Sequence, residues 1–262
     1  MPGEYLVCTR ARPGESPQPV AILHLEPLAR EPLAPADWLH PVEQRTYDAQ
    51  TRRTRQREFL HGRMLAKRGL AALGVATRAP EMAIQPGCFG QPLVAGDGLH
   101  GHGISISHAG PAWVGALAFR EQVPMGLDIE LISQRPGRAL ATRLTATEHA
   151  LIANQGEWGA TALWAAKEAL AKLLRTGLSS PFPLFEVTGL TAMNGYCEVR
   201  FHFFPHLSAA VFHLGSAMLA LAVPAAATVQ ADGYCYAFEA LAAQLTSNGA
   251  GPAAPRCCTE SR

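Results

Sequence analysis

The chain has 262 residues, of which 48% are hydrophobic and 16% charged, with a net charge of +1. This composition supports a sizeable core and excludes a chain disordered throughout. The near-neutral balance gives no global field for nucleic acid or an anionic membrane, so any electrostatic recognition must be local.

The length allows one large domain or two small ones packed together. None of the six cysteines forms a Cys-x-x-Cys pair, which favours a reducing, cytoplasmic setting. Met1 to Arg12 lacks the apolar core of a signal peptide. Ala217 to Ala227 is apolar but too short to span a bilayer, and Pro224 interrupts it.

In chain order, a proline-rich start contains one expected strand, Val20 to Leu25. Helical character begins at Pro41-Val42. Between Arg45 and Arg68 stand Arg45, Arg52, Arg53, Arg55, Arg57, Arg63, Lys67 and Arg68 against only Asp48 and Glu58. Phe59, Met64, Leu65, Leu70 and Leu73 give that stretch an apolar face, and Gly74 is a natural stop. Pro86 to Gly103 is glycine-rich and reads as loop. Ile104 to His108 and Trp113 to Phe119 read as strands joined at Ala109-Gly110-Pro111, and Met125 to Leu131 as a third.

Thr145-Ala146-Thr147-Glu148 is a capping box, so a helix should begin there. A longer helix is expected over Thr161 to Leu174. Strands are expected over Pro183 to Thr191, Tyr196 to Phe204 and Ser216 to Val223. Each half thus runs helix first, then three strands. Two subdomains are expected, 1–122 and 123–242, with a frayed tail over 243–262.

Two stretches carry the chemistry. In Gly126-Leu127-Asp128-Ile129-Glu130, strand geometry puts Asp128 and Glu130 side by side with apolar residues opposite. Adjacent carboxylates repel unless a cation or proton sits between them, and a hard cation such as Mg²⁺ suits oxygen donors. A solvent-exposed strand edge is the plainer alternative. In Trp164 to Lys172, the residues Trp164, Glu168 and Lys172 lie four apart on one helix face, and Lys167 sits beside Glu168. An ordinary salt-bridged surface helix would look the same. Ser107 and His108 end a strand where a hydroxyl and an imidazole could hold a phosphate oxygen. His100 and His102 have no third soft ligand nearby and read as loop residues. The basic helix could meet a phosphate, an acidic protein or nucleic acid. Tyr47 and Phe59 are its only aromatics, so nucleic acid is the weakest of these.

Taken in order, Phe59-Leu60-His61-Gly62-Arg63, Gly90-Gln91-Pro92, Ile104 to His108, Met125 to Glu130 and Trp164 to Lys172 resemble the Sfp-type 4′-phosphopantetheinyl transferases. The resemblance implies an α+β fold with a pseudo-twofold arrangement of two similar subdomains, each an antiparallel sheet packed with a long helix. It implies transfer of the phosphopantetheine arm of coenzyme A to a serine of an apo acyl or peptidyl carrier protein, releasing 3′,5′-ADP. Fatty acid, polyketide or nonribosomal peptide synthesis would be served by a monomer, without nucleic acid or membrane.

By the same resemblance, Asp128, Glu130 and Glu168 hold Mg²⁺. Glu168, directly or through a water, deprotonates the serine. Lys172, assisted by Lys167, stabilises the leaving phosphate. Arg63, Gln91, Pro92, Ser107 and His108 line the nucleotide end with Lys167 and Lys172. The family pattern Gly-Lys-Pro reads Gly90-Gln91-Pro92 here, so a cation is replaced by a neutral amide. Arg143-Leu144 stands where the family has an aromatic after the arginine. Two other classes use the same residues: a binding module without turnover, and a metal-dependent phosphatase or nuclease.

Overall fold

The computed structural model describes residues 3–8, 19–28, 33–96, 99–110, 112–132, 143–156, 158–225 and 238–247. The strands are β1 Gly3–Cys8, β2 Pro19–Glu26, β3 Ala83–Pro86, β4 Pro92–Ala95, β5 His102–Ala109, β6 Trp113–Arg120, β7 Gly126–Leu131, β8 Val187–Ala192, β9 Cys197–Phe201, β10 Leu207–His213 and β11 Ala217–Pro224. The helices are α1 Pro35–Trp38, α2 Pro41–Asp48, α3 Arg53–Ala72, α4 Ala146–Ile152, α5 Trp158–Leu173 and α6 Phe238–Ser247.

One antiparallel sheet has the order β1-β2-β6-β5, a second β7-β11-β10-β9-β8, and β3-β4 forms a separate hairpin. The two large sheets pack face to face through Leu23, Leu25, Leu117 and Phe119 on one side and Leu127, Ile129, Leu219 and Leu221 on the other. On the outer face of the first sheet, Ile22, Val114, Ala116 and Ala118 meet Met64, Leu65 and Leu70 of α3. On the outer face of the second, Met218, Ala220, Ala209 and Val211 meet Leu163, Ala166 and Leu170 of α5. The layers are therefore helix, sheet, sheet, helix. Central strands buried on both faces need continuous apolar sequence, which is why β6, β10 and β11 show no polar alternation.

The order of elements runs twice. After β2 come two short helices, a long helix and the pairs β3-β4 and β5-β6. After β7 come a short helix, a long helix and the pairs β8-β9 and β10-β11. The strand order β2-β6-β5 matches β7-β11-β10. In each half the short helix directly before the long one, α2 or α4, opens with a capping box whose glutamate is buried and takes a lysine from the long helix. Glu43 Oε2 accepts from His40 N at 2.9 Å and from Lys67 Nζ. Glu148 Oε2 accepts from Thr145 N at 2.8 Å and from Lys167 Nζ at 2.7 Å. A buried carboxylate needs such a partner, so each pair fixes a long helix against its own half.

Several expected elements differ. The stretch expected as loop, Pro86 to Gly103, contains β4 and the turn that joins it to β3. Pro183 to Thr191 is not one strand: Phe182–Phe185 forms a 3-10 turn and β8 begins at Val187. Strand β10 lies where none was expected, so the second half has four strands after its helices. Alternation is lost wherever both faces of a strand are buried. Helix α6 runs to Ser247 because Phe238, Leu241, Ala242 and Leu245 join the core between the sheets. It overlaps the expected tail, whose residues 248–262 lie outside those described.

Gly126 is where strand and helix come closest. A Cβ there would fall 1.9 Å from Ala169 O and 2.7 Å from Leu173 N of α5. Gly126→Ala should therefore push α5 off β7 and lower the unfolding free energy by about 3 kcal/mol in a urea titration. A loss below about 1 kcal/mol would contradict this packing.

Candidate active site

The strand β7 and the helix α5 bring three carboxylates and one lysine to the cleft between the halves. Asp128 is buried. Its Oδ1 accepts from Ser107 Oγ at 2.8 Å and from Lys172 Nζ at 2.7 Å. Its Oδ2 is buried with no partner among the described residues. Glu130 Oε1 accepts from Trp164 Nε1 at 3.2 Å, and the Trp164 ring stacks on Phe182 with centroids 4.6 Å apart. Arg143 lies 5.5 Å over Phe182 and 6.0 Å over Trp164.

The carboxylates crowd one another. Burial, then the charge of Asp128, raises the Glu130 carboxyl above its usual range, against the Trp164 hydrogen bond and Lys172. Burial and the charges of Asp128 and Glu130 push Glu168 up to about 7, against the opposing pull of Lys172 and Arg143. A carboxyl titrating near neutrality is matched to exchanging a proton with a hydroxyl.

The donor chemistry suits a hard divalent cation. All three groups offer oxygen, Asp128 Oδ2 is buried without a partner, and the mutual repulsion is what a cation relieves. As the side chains stand, no three His, Cys, Asp or Glu among the described residues converge closely enough to enclose an ion.

The other expected site residues divide. Gln91 and Pro92 line a cavity of about 250 Å³ together with Phe89, Ile104, Ile106, Met125, Glu168, Lys172 and Arg175. Arg63 and His108 line a neighbouring cavity with Arg55, Phe59 and Gln50, and the two share Gly90, Pro92 and Ile106. A compact pocket this small takes only part of a large ligand, whereas two joined cavities suit an extended one. His108 Nε2 lies 3.8 Å from Glu58 and 3.4 Å from Arg55. Arg63 Nε lies 3.0 Å from Glu43, with its guanidinium over Phe59.

Two expectations need correcting. Lys167 is not placed to assist Lys172 at the leaving phosphate: it is fully buried and held by Glu148, so it anchors α5. Neighbouring helix residues point about 100° apart, and that turn takes Lys167 inward while Glu168 stays at the site. Ser107 is also buried, and its hydroxyl is engaged with Asp128 and with Ile129 N at 3.2 Å. It orients a carboxylate instead of offering a free donor to a phosphate. Sequence reading missed the tie from Trp164 to Glu130, and the field of Arg143 at Glu168. No spacing rule links residues so far apart in the chain.

In metal-free protein, Glu168 keeps its proton to about pH 7 when folded but only to about 4.5 when unfolded. The folded state binds more protons between those values, so stability falls as pH rises through them. With chelator present, Glu168→Gln should melt above the wild type at pH 8 by about 5 °C, and the gap should shrink at pH 5. Equal melting at both pH values would contradict the crowding.

No curated protein sequence matches the chain. The family model of the 4′-phosphopantetheinyl transferase superfamily matches residues 124–228. The matched stretch begins just before β7 and ends beyond β11, so it takes in Asp128, Glu130, Trp164, Glu168 and Lys172. Residues 124–228 therefore form a domain of the 4′-phosphopantetheinyl transferase superfamily.

Proposed function

We propose that the protein transfers the 4′-phosphopantetheine arm of coenzyme A to a serine hydroxyl of an apo acyl or peptidyl carrier protein, releasing 3′,5′-ADP. The observation that carries this reading is the grouping of Asp128, Glu130, Glu168 and Lys172 where β7 packs on α5, beside the cavity that Glu168 and Lys172 line, on a domain of that superfamily.

In the proposed reaction the serine Oγ–P bond forms as the pyrophosphate P–O bond to the nucleotide breaks. Glu168 takes the serine proton, directly or through a water. Lys172, held by Asp128 Oδ1 and by Ile106 O at 3.4 Å, faces the charge that builds on the leaving phosphate. Mg²⁺ held among Asp128, Glu130 and Glu168 would neutralise the pyrophosphate and polarise the phosphorus. Positioning and charge carry such a displacement, and no covalent enzyme intermediate is needed.

The nucleotide end would extend into the neighbouring cavity, where Arg55 and Arg63 offer guanidinium groups and His108 an imidazole to the 3′-phosphate. Arg52, Arg53, Arg55 and Arg57 are exposed at the start of α3, which has no acidic residue in its first turn. Cations at a helix N-terminus oppose the helix dipole, so this end gains from an anionic partner. An acidic helix of a carrier protein would supply one. Fatty acid, polyketide and nonribosomal peptide carriers all suit that surface. The enzyme is proposed to act in the cytoplasm as a monomer. Among the described residues no helix is long and apolar enough to cross a membrane.

The protein should add the mass of a phosphopantetheine arm to the serine of at least one apo carrier in a panel, given coenzyme A and Mg²⁺. Chelation should abolish the gain. No gain on any carrier at saturating coenzyme A would overturn the assignment.

A further inference from the structure

A second cation reaches the cleft from the end of α5. Arg175 lies three residues after Lys172, and both line the cavity that holds Gln91 and Glu168. Its backbone has φ of 58°, and it is the one non-glycine with positive φ among the described residues. The other such positions are glycines, as expected where a Cβ crowds the following carbonyl. The turn itself is an ordinary helix ending: Arg175 N donates to Lys172 O and Thr176 N to Ala171 O, each at 3.1 Å. Glycine suits such an ending best. A side chain kept there against backbone preference points to a use for that side chain.

Among the described residues, the guanidinium is held only by a solvent-exposed pair that a ligand can displace. Arg175 Nη2 lies 2.7 Å from Glu121 Oε1 in the link between β6 and β7, but the two side chains are 41% and 47% exposed. A pair so exposed contributes little and yields readily to a stronger anion.

Across the cavity, the β3-β4 turn offers no cation. Gln91 Oε1 accepts from Phe89 N at 3.0 Å, and the Gln91 amide folds over Gly87, where a Cβ would fall 2.4 Å from it. Gln91 is thus committed to closing its own turn. The turn after α5 abuts this one: a Cβ at Gly177 would lie 3.6 Å from Phe89 O. The wall that lacks a lysine therefore faces the wall that carries an arginine.

We propose that Arg175 binds the pyrophosphate of coenzyme A beside Lys172, supplying the charge that Gln91 does not. The role rests on the function proposed above. Lys172 in the last turn of α5 and Arg175 in the turn beyond it line the same cavity, so the two cations face the same anion. A guanidinium fork grips phosphate oxygens in two places, where an ammonium acts as a point charge. The phosphate-binding charge has moved from the hairpin of the first half to the helix end of the second.

Arg175→Gly separates binding from folding, because glycine relieves the backbone while removing the guanidinium. Its melting temperature should equal or exceed that of the wild type. Calorimetry should show coenzyme A binding weakened about tenfold, and 3′-dephospho-coenzyme A weakened by the same factor. Glu121→Gln, which frees Arg175, should tighten coenzyme A binding by about twofold to threefold. Wild-type affinity in Arg175→Gly would overturn the role. A penalty that vanishes with 3′-dephospho-coenzyme A would also overturn it, by placing Arg175 on the 3′-phosphate. Wild-type protein that binds no coenzyme A would remove the proposed function and this role together. Wild-type binding and transfer with an unaffected variant would remove only the role.

Discussion

Two serine hydroxyls hold the edge of one sheet against the edge of the other. β5 ends the first sheet and β7 begins the second, so each leaves a row of backbone groups without a ladder partner. Ser105 Oγ accepts from Leu127 N at 2.9 Å, and Ser107 Oγ accepts from Ile129 N at 3.2 Å. Every second residue of an antiparallel edge strand turns its N–H outward, so serines two apart on β5 meet residues two apart on β7. The same Ser107 hydroxyl donates to Asp128 Oδ1. The contact that joins the halves thus also aims a carboxylate.

The rest of the site follows from that seam. With β7 fixed, Leu127 and Ile129 enter the core between the sheets, and Asp128 and Glu130 turn toward α5. Gly126 lets the helix backbone approach, and the buried Lys167–Glu148 pair sets the helix against its own half. Lys172 then crosses the boundary to Ile106 O of β5. Glu168 is left half-buried among like charges, which is the cost of gathering carboxylates before any cation is bound.

Much of this was legible in the sequence. A strand with Asp128 and Glu130 on one face, a helix with Trp164, Glu168 and Lys172 on one face, and the Thr145 capping box all rest on local periodicity, and the structure has them. The β10 strand and the β3-β4 hairpin were missed because burial on both faces, or a turn rich in glycine, erases the alternation that marks a strand. Lys167 was misplaced for a different reason. Its neighbour in sequence is Glu168, but its partner is Glu148 on another helix, and only packing brings them together. The strand-end hydroxyl of Ser107 looks free to hold a phosphate oxygen until the second sheet arrives. The matched superfamily domain covers β7 to β11 but not β5 or α3.

Amide hydrogen exchange at Leu127 and Ile129 tests the seam most directly. In the wild type both amides should exchange only through global unfolding, as slowly as Leu219 in the same sheet. In a Ser105→Ala, Ser107→Ala double variant they should exchange about 10- to 100-fold faster than Leu219, because each loses its acceptor at a sheet edge. Equal protection of all three amides in that variant would show that the halves are held together by something other than these hydroxyls.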